Sequence, residues 1–220
     1  VQLPGILRVT TWTLVVLLPA VAAAPSTAAE EPLPVFVLVG QSNMLGHAHV
    51  RTLEALGLDP ESVPLHRALC SEDGAPRVCD EVWSASLWSS GTKQGRLTTG
   101  FGASDEWVGP ELAFGVTMRE HLGRPILLVK AAWGGKSLHT DFRPPSAGPY
   151  VFTDAQKQRF EKQGKRFEQI RAEKEEATGR YYRLMVEHVK EVLADIAKVH
   201  PDYDARRGYE LAGFVWFQGW

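Results

Sequence analysis

The sequence predicts an α/β fold built on a parallel sheet, and two features carry that expectation. Three short, continuous apolar runs, at residues 34–39, 125–131 and 211–217, each stop at a polar or glycine-rich turn, and segments with helical spacing lie between them. Continuous rather than alternating runs mark strands buried on both faces, as parallel sheets require. Strand and helix taken in turn is the order that builds such a sheet. With 220 residues, 44% hydrophobic and 23% charged, the chain has material for one globular core.

Ahead of the first strand, Arg8 precedes an apolar run at 12–20, followed by the small-residue tract Val21-Ala22-Ala23-Ala24-Pro25-Ser26-Thr27-Ala28-Ala29. That order predicts a secretory signal peptide over 1–29 with A-x-A-type cleavage options, leaving 30–220 as one exported domain, secreted or periplasmic. The run is shorter than the roughly 20 residues a membrane-spanning helix needs.

The first strand, 34–39, delivers the chain to Gly40-Gln41-Ser42-Asn43-Met44. From 47 to 105 there is no clear periodicity, and glycine, serine, proline and tryptophan are frequent, so loops over the site are expected. Cys70 and Cys79 bracket a charged, glycine- and proline-containing stretch. In an exported protein a disulfide stapling that loop is expected, with two free thiols as the alternative. A metal site has no second ligand pair to support it.

Gly109-Pro110-Glu111-Leu112 opens a helix, since proline suits the first helical position and glutamate the positive helix start. It is expected to run to about His121 and stop at Gly123. The second strand ends in Gly134-Gly135. A longer helical tract, 154–199, changes character midway. Its first part is dense in charge and reads as a surface insertion at about 154–178. Its second part carries Met185, Val189, Val192, Leu193, Ile196 and Val199 at helical spacing, a stripe that packs on the sheet, with His188 beside it as a structural or exposed residue. The third strand ends in Gln218-Gly219.

In open α/β sheets ligands bind outside the carboxyl ends of the strands, so the three turns are expected to converge on one site. Ser42 is the candidate nucleophile there. A serine needs an exposed position, a base, and donors for the oxyanion formed on attack. A buried strand delivers Ser42 to its turn and Gly40 removes bulk, although Met44 stands where the G-x-S-x-G elbow has its second glycine. The plain alternatives are a helix cap for Ser42, an ordinary turn for Gly134-Gly135 and an exposed amide for Gln218.

Gly40-Gln41-Ser42-Asn43-Met44, Gly109-Pro110-Glu111, the block from Lys130 to Leu138 with Gly134-Gly135, and Trp216-Phe217-Gln218-Gly219 occur in an order that resembles the SGNH hydrolase superfamily. Within it they look like the sialate O-acetylesterase domain and the related carbohydrate esterase family that includes acetylxylan esterases. The resemblance implies a three-layer α/β/α sandwich of SGNH or flavodoxin-like type. It also implies hydrolysis of an acetyl ester through an acyl-serine intermediate formed on Ser42. The oxyanion would be held by the backbone N–H groups of Ser42 and Gly135, with Gly134 as the neighbouring candidate, and by the side chain of Gln218. Asn43, Gly134, His139 and Trp220 are expected to line the pocket.

The superfamily draws its base from an Asp-x-x-His block, and that block does not occur in this sequence. The catalytic histidine and its aspartate are therefore expected to be absent from these residues, and the chain to be a fragment lacking the last part of the sheet. His47, His49 and His139 are the histidines near the site blocks. Trp220 stands where relatives commonly carry glutamate, and an aromatic there suits stacking on a sugar ring.

A net charge of -2 and a pI near 6.4 give no footprint for nucleic acid or an anionic membrane. The expected partner is an acetylated glycan or small sugar, and serine ester hydrolysis requires neither cofactor nor metal. Trp83, Trp88, Trp107 and Trp133 suit sugar faces if they lie in loops and the core if they do not. Two other readings compete: an SGNH esterase or lipase acting on other acyl esters, and a noncatalytic glycan-binding module.

Overall fold

The computed structural model describes residues 31–219; the expected signal peptide at 1–29 and Trp220 fall outside the described residues. In chain order the elements are β1 (Leu33–Gly40), α1 (Ser42–Leu45), β2 (Ala48–His49), α2 (Thr52–Leu56), α3 (Val63–Leu69), β3 (Cys79–Trp88), β4 (Gly91–Leu97), β5 (Trp107–Val108), α4 (Pro110–Leu122), β6 (Ile126–Ala132), α5 (Asp154–Lys162), α6 (Phe167–Ala177), α7 (Arg180–Ala194) and β7 (Tyr209–Phe217). Short 3-10 turns occupy Pro145–Ala147 and Ile196–Lys198. No helix among the described residues is long and apolar enough to cross a membrane.

Five strands form one sheet in the order β4-β3-β6-β1-β7, parallel except for the β3–β4 hairpin. β2 and β5 pair separately. The side-chain alternation of the strands divides the core. Phe36, Leu38, Val82, Ile126 and Leu128 pack on one face with Leu112 of α4 and with Met44 and Leu45 of α1. Val35, Trp83, Ala85, Leu127 and Val129 pack on the other with Val192, Ile196 and Val199, the stripe expected to meet the sheet. Helices on both faces of a mostly parallel sheet make the three-layer α/β/α arrangement.

The α4 helix begins and ends as its caps dictate, with Pro110 in its first turn and Gly123 in the left-handed conformation at its end. The tract from 154 to 199 is divided into α5, α6 and α7. The first two carry no buried residue and are joined to each other by edge contacts of Phe152 with Phe160 and Phe167.

Three expectations need correction. Residues 47–105 are not mainly loop: they contain β3, an interior strand of the sheet. Its apolar run is interrupted by Ser84 and Ser86, both buried, whose hydroxyls bond each other at 3.3 Å. Two satisfied small polar side chains can thus sit inside a sheet while hiding the strand from a hydrophobicity pattern. Trp83 lies on this strand and is buried, as is Trp133, so both belong to the core.

The strand at 211–217 is not buried on both faces. Among the described residues β7 pairs with β1 alone, and Leu211 (62%), Phe214 (58%) and Phe217 (47%) are exposed.

Cys70 and Cys79 are free thiols rather than a disulfide. Cys70 is buried at the end of α3, and burial pushes both thiols above their usual range. The loop between them is held by other means. Arg77 donates to the Cys70 carbonyl (2.6 Å), and the Ser71 hydroxyl to the Asp73 carboxylate (2.5 Å) and the Ala75 carbonyl (2.9 Å).

Candidate active site

Register brings the three turns together. Gly40 on β1 lies level with Ala132 on β6 and with Phe217 on β7. Neighbouring strands are about 4.8 Å apart, so the residues that follow, Gln41, Trp133 and Gln218, leave the sheet side by side. The Trp133 N–H reinforces this by donating to the Gly40 carbonyl at 3.3 Å. Gly40 permits the approach: a Cβ there would fall 2.1 Å from the Phe217 carbonyl oxygen.

Ser42 opens the single turn of α1 and is half-buried; Met44 and Leu45 anchor the turn in the core. The residues flanking Ser42 reach across to the third turn. Gln41 Nε2 donates to the Gly219 carbonyl (3.0 Å) and Asn43 Nδ2 to the Gln218 carbonyl (3.2 Å). The space between is tight, because a Cβ on Gly219 would meet Asn43 Nδ2 at 2.5 Å and Gln41 Nε2 at 2.9 Å. Asn43 is thus a clamp on the third turn, with its side chain exposed beside Ser42.

Gln218 ties the third turn to the second. Its Nε2 donates to the Lys136 carbonyl (2.7 Å), and its Oε1 accepts from the Trp216 indole (3.0 Å). A side-chain amide has two N–H donors, so one remains after the bond to Lys136. Gly134 and Gly135 are exposed and face open space, with no atom within 4 Å of where a Cβ would stand. Gly135 adopts φ +68, a left-handed conformation that glycine accepts without strain. The following loop is fixed by Asp141, whose carboxylate accepts from the Ser137 N–H (2.8 Å) and hydroxyl (3.1 Å).

None of the seven histidines hydrogen-bonds the Ser42 hydroxyl among the described residues. His47 and His49 set their rings against Trp107, and His139 sets its ring against Tyr150. His188 is buried under the sheet and donates to the Ala85 carbonyl at 3.2 Å. His200 stacks on Trp83. No group of three or more metal-ligating side chains is found among the described residues. A cavity of about 260 Å³ lined by Trp83, His200 and Tyr203 also takes in Leu33, Pro125 and Gly208. These mark the amino ends of the strands, away from Ser42. Trp220, expected in the pocket, is outside the described residues.

Sequence reasoning placed Glu111 at a helix start and Lys130 in the second block, but did not pair these two residues behind the Ser42 turn. Lys130 and Glu111 form an ion pair with side chains 1% and 0% exposed. The signal was present, since Lys130 is a lone charge within an apolar run of β6, and a charge in a strand covered on both faces must have a partner.

The family model described as carbohydrate esterase, sialic acid-specific acetylesterase matches residues 32–220. No curated protein matches the sequence. Among solved structures the chain is similar to a protein from Arabidopsis thaliana, at 17% identity over 86% of this chain and 58% of that one, with a TM-score of 0.36. It is also similar to a carbohydrate acetylesterase from Xanthomonas citri, at 15% identity over 84% of this chain and 32% of that one, with a TM-score of 0.38. The chain spans less than two thirds of the length of either structure.

Proposed function

The chain belongs to the carbohydrate esterase family described as sialic acid-specific acetylesterases, and on that premise we propose that it removes O-acetyl groups from carbohydrates with Ser42 as nucleophile. The observation that carries this reading is the register of Gly40 with Ala132 and Phe217. Each of the turns that follow supplies a group that acyl transfer needs.

In the proposed reaction the Ser42 hydroxyl gives its proton to a base as Oγ bonds to the acetyl carbonyl carbon, and the carbonyl electron pair moves onto oxygen. In the family pattern that base is a histidine oriented by a carboxylate. The oxyanion is met by the backbone N–H groups of Ser42 and Gly135 and by the second N–H of Gln218, whose amide is already held by Lys136 and Trp216. Donors fixed before reaction need no reorganisation when charge develops. Collapse breaks the ester C–O bond, and the sugar oxygen leaves with the proton. Water then attacks the acetyl-serine by the same route and releases acetate.

The surroundings favour a short acyl group on a large polar alcohol. Gly134 and Gly135 face open space and His139 is exposed, whereas a long acyl chain needs an apolar cavity to bury its methylenes. Acetate release from O-acetylated sialic acid and acetylated xylan, measured beside p-nitrophenyl esters of acetate and octanoate, tests the reading. Preference for acetyl supports it, and preference for octanoate contradicts it. We also place the protein outside the cytoplasm, on the apolar run at 12–20 and the small-residue tract after it. N-terminal sequencing of exported protein, with a start near residue 30, is the corresponding test.

A further inference from the structure

We propose that the buried Lys130–Glu111 pair is a positioning device that fixes the nucleophile turn, an inference that rests on the reading of Ser42 as nucleophile. An ammonium group has three donors, and Lys130 uses all of them. They go to the Leu45 carbonyl (2.9 Å), the Phe101 carbonyl (2.8 Å) and Oε2 of Glu111. The second carboxylate oxygen of Glu111 accepts the N–H of Gly109 at 3.0 Å. One ion pair thereby joins β6, the end of α1, the loop at Phe101 and the start of α4.

Leu45 is the point that matters for chemistry. It is the last residue of the four-residue helix that Ser42 begins. Its N–H bonds the Gln41 carbonyl (2.8 Å), and the N–H of Gly46 bonds the carbonyl of Ser42 (3.0 Å). A single turn has no helical stability of its own, and its last carbonyls lack partners within the helix. Lys130 supplies a charged donor at that end, where a cation is favoured.

The backbone is closed tightly around the pair. A Cβ on Gly109 would stand 2.4 Å from Glu111 Oε2 and 3.0 Å from both the Leu45 carbonyl and Lys130 Nζ, and a Cβ on Gly46 would stand 2.1 Å from the Cα of Gly109. The Gly109-Pro110-Glu111 block is thus explained by the pair it accommodates. Burial lowers the proton affinity of Lys130 and Glu111 opposes that effect.

Stability alone is a poor reason for such a pair, because apolar residues of similar volume are often as stable or more so. What apolar residues cannot do is hold the Leu45 carbonyl in one direction. The double variant Lys130→Met with Glu111→Leu separates these roles. Thermal unfolding, kcat and KM on p-nitrophenyl acetate, and amide hydrogen exchange over residues 41–46 are measured on it and on wild type.

The expected result is a melting temperature near wild type, exchange in 41–46 faster by at least about tenfold, and kcat lower by roughly 10- to 100-fold with KM little changed, as misplacement of a reacting group predicts. A folded double variant with wild-type exchange and kcat overturns the proposal. Should the double variant not fold, Glu111→Gln, which keeps volume and an acceptor for Gly109, is judged by the same two outcomes. Activity that survives Ser42→Ala would sink the nucleophile reading instead, and the exchange measurement would still decide whether the pair fixes the turn.

Discussion

Gln41 and Gly219, 178 positions apart in sequence, are joined by a 3.0 Å hydrogen bond from the Gln41 side-chain amide to the Gly219 carbonyl. With the parallel bond from Asn43 to Gln218, it makes the residues on either side of Ser42 into a clamp on the turn that carries Gln218. The distance between Ser42, the proposed nucleophile, and Gln218, its proposed amide donor, is therefore set by the side chains that flank Ser42.

Loosening that clamp is expected to cost turnover more than stability. Gln41→Ala removes one bond, and Gly219→Ala drives a Cβ into both amides. Each should lower kcat on p-nitrophenyl acetate by roughly 10- to 100-fold, the scale of a reacting group displaced by about 1 Å. Wild-type kcat in both variants would show that the clamp does not set the site.

Gly40→Ala is expected to act on the sheet. The new methyl would meet the backbone oxygen of Phe217, which cannot swing aside as a flexible side chain does. Denaturant unfolding should show a loss of about 1–3 kcal/mol, the usual cost of overpacking. A change within about 0.5 kcal/mol, the range of inert surface substitutions, would mean that the β1–β7 contact yields freely.

Gln218→Ala removes the proposed oxyanion donor and should reduce kcat by roughly 100- to 1,000-fold, as loss of one such donor does. Trp216→Phe keeps the amide but releases its oxygen from the indole, and a smaller loss is expected. If Trp216→Phe matched Gln218→Ala, orientation rather than donation would be the role of Gln218.

His47, His49 and His139 face aromatic rings and not the Ser42 hydroxyl. Alanine at each should leave kcat within about tenfold of wild type, whereas loss of a general base costs roughly 100- to 10,000-fold. A loss of that larger size at any one of them would identify the base.

Acid should weaken the fold through His188. Burial holds it below the usual histidine value of 6.5, against the upward pull of the Ala85 carbonyl and Glu191. His200, stacked on Trp83, is pushed down by burial as well. As pH falls through about 6.5 the unfolded chain takes up protons that the folded chain still refuses, so stability drops below that value and is full above it. Melting temperatures between about pH 7.5 and pH 5 should fall less steeply in His188→Gln than in wild type. Equal slopes would exclude His188 as a source.

Much of the site's position was legible because apolar runs ending in glycine are a strong signal. β1 and β6 fell close to where they were expected, α4 began at its proline and ended at its glycine, and the three turns meet as parallel topology requires. The failures have separate causes. Ser84 and Ser86 concealed β3 because each satisfies the other. The run at 211–217 reads as a core strand, yet among the described residues β7 stands at an edge, since hydrophobicity records what a strand prefers and not which neighbours it has. Gln41, Asn43, Lys130 and Glu111 were all present in recognisable blocks, but their contacts reach 19 to 178 residues away, and local pattern carries no trace of that.

As the proposed nucleophile, Ser42 must carry the acetyl group during turnover. The most direct measurement quenches the protein during reaction with acetylated sugar, locates acetyl on Ser42 by peptide mass spectrometry, and compares turnover with that of Ser42→Ala. Acetyl on Ser42 and a loss of about a thousandfold or more in the variant are expected, as for other serine nucleophiles. A Ser42→Ala protein that releases acetate at the wild-type rate would contradict that role.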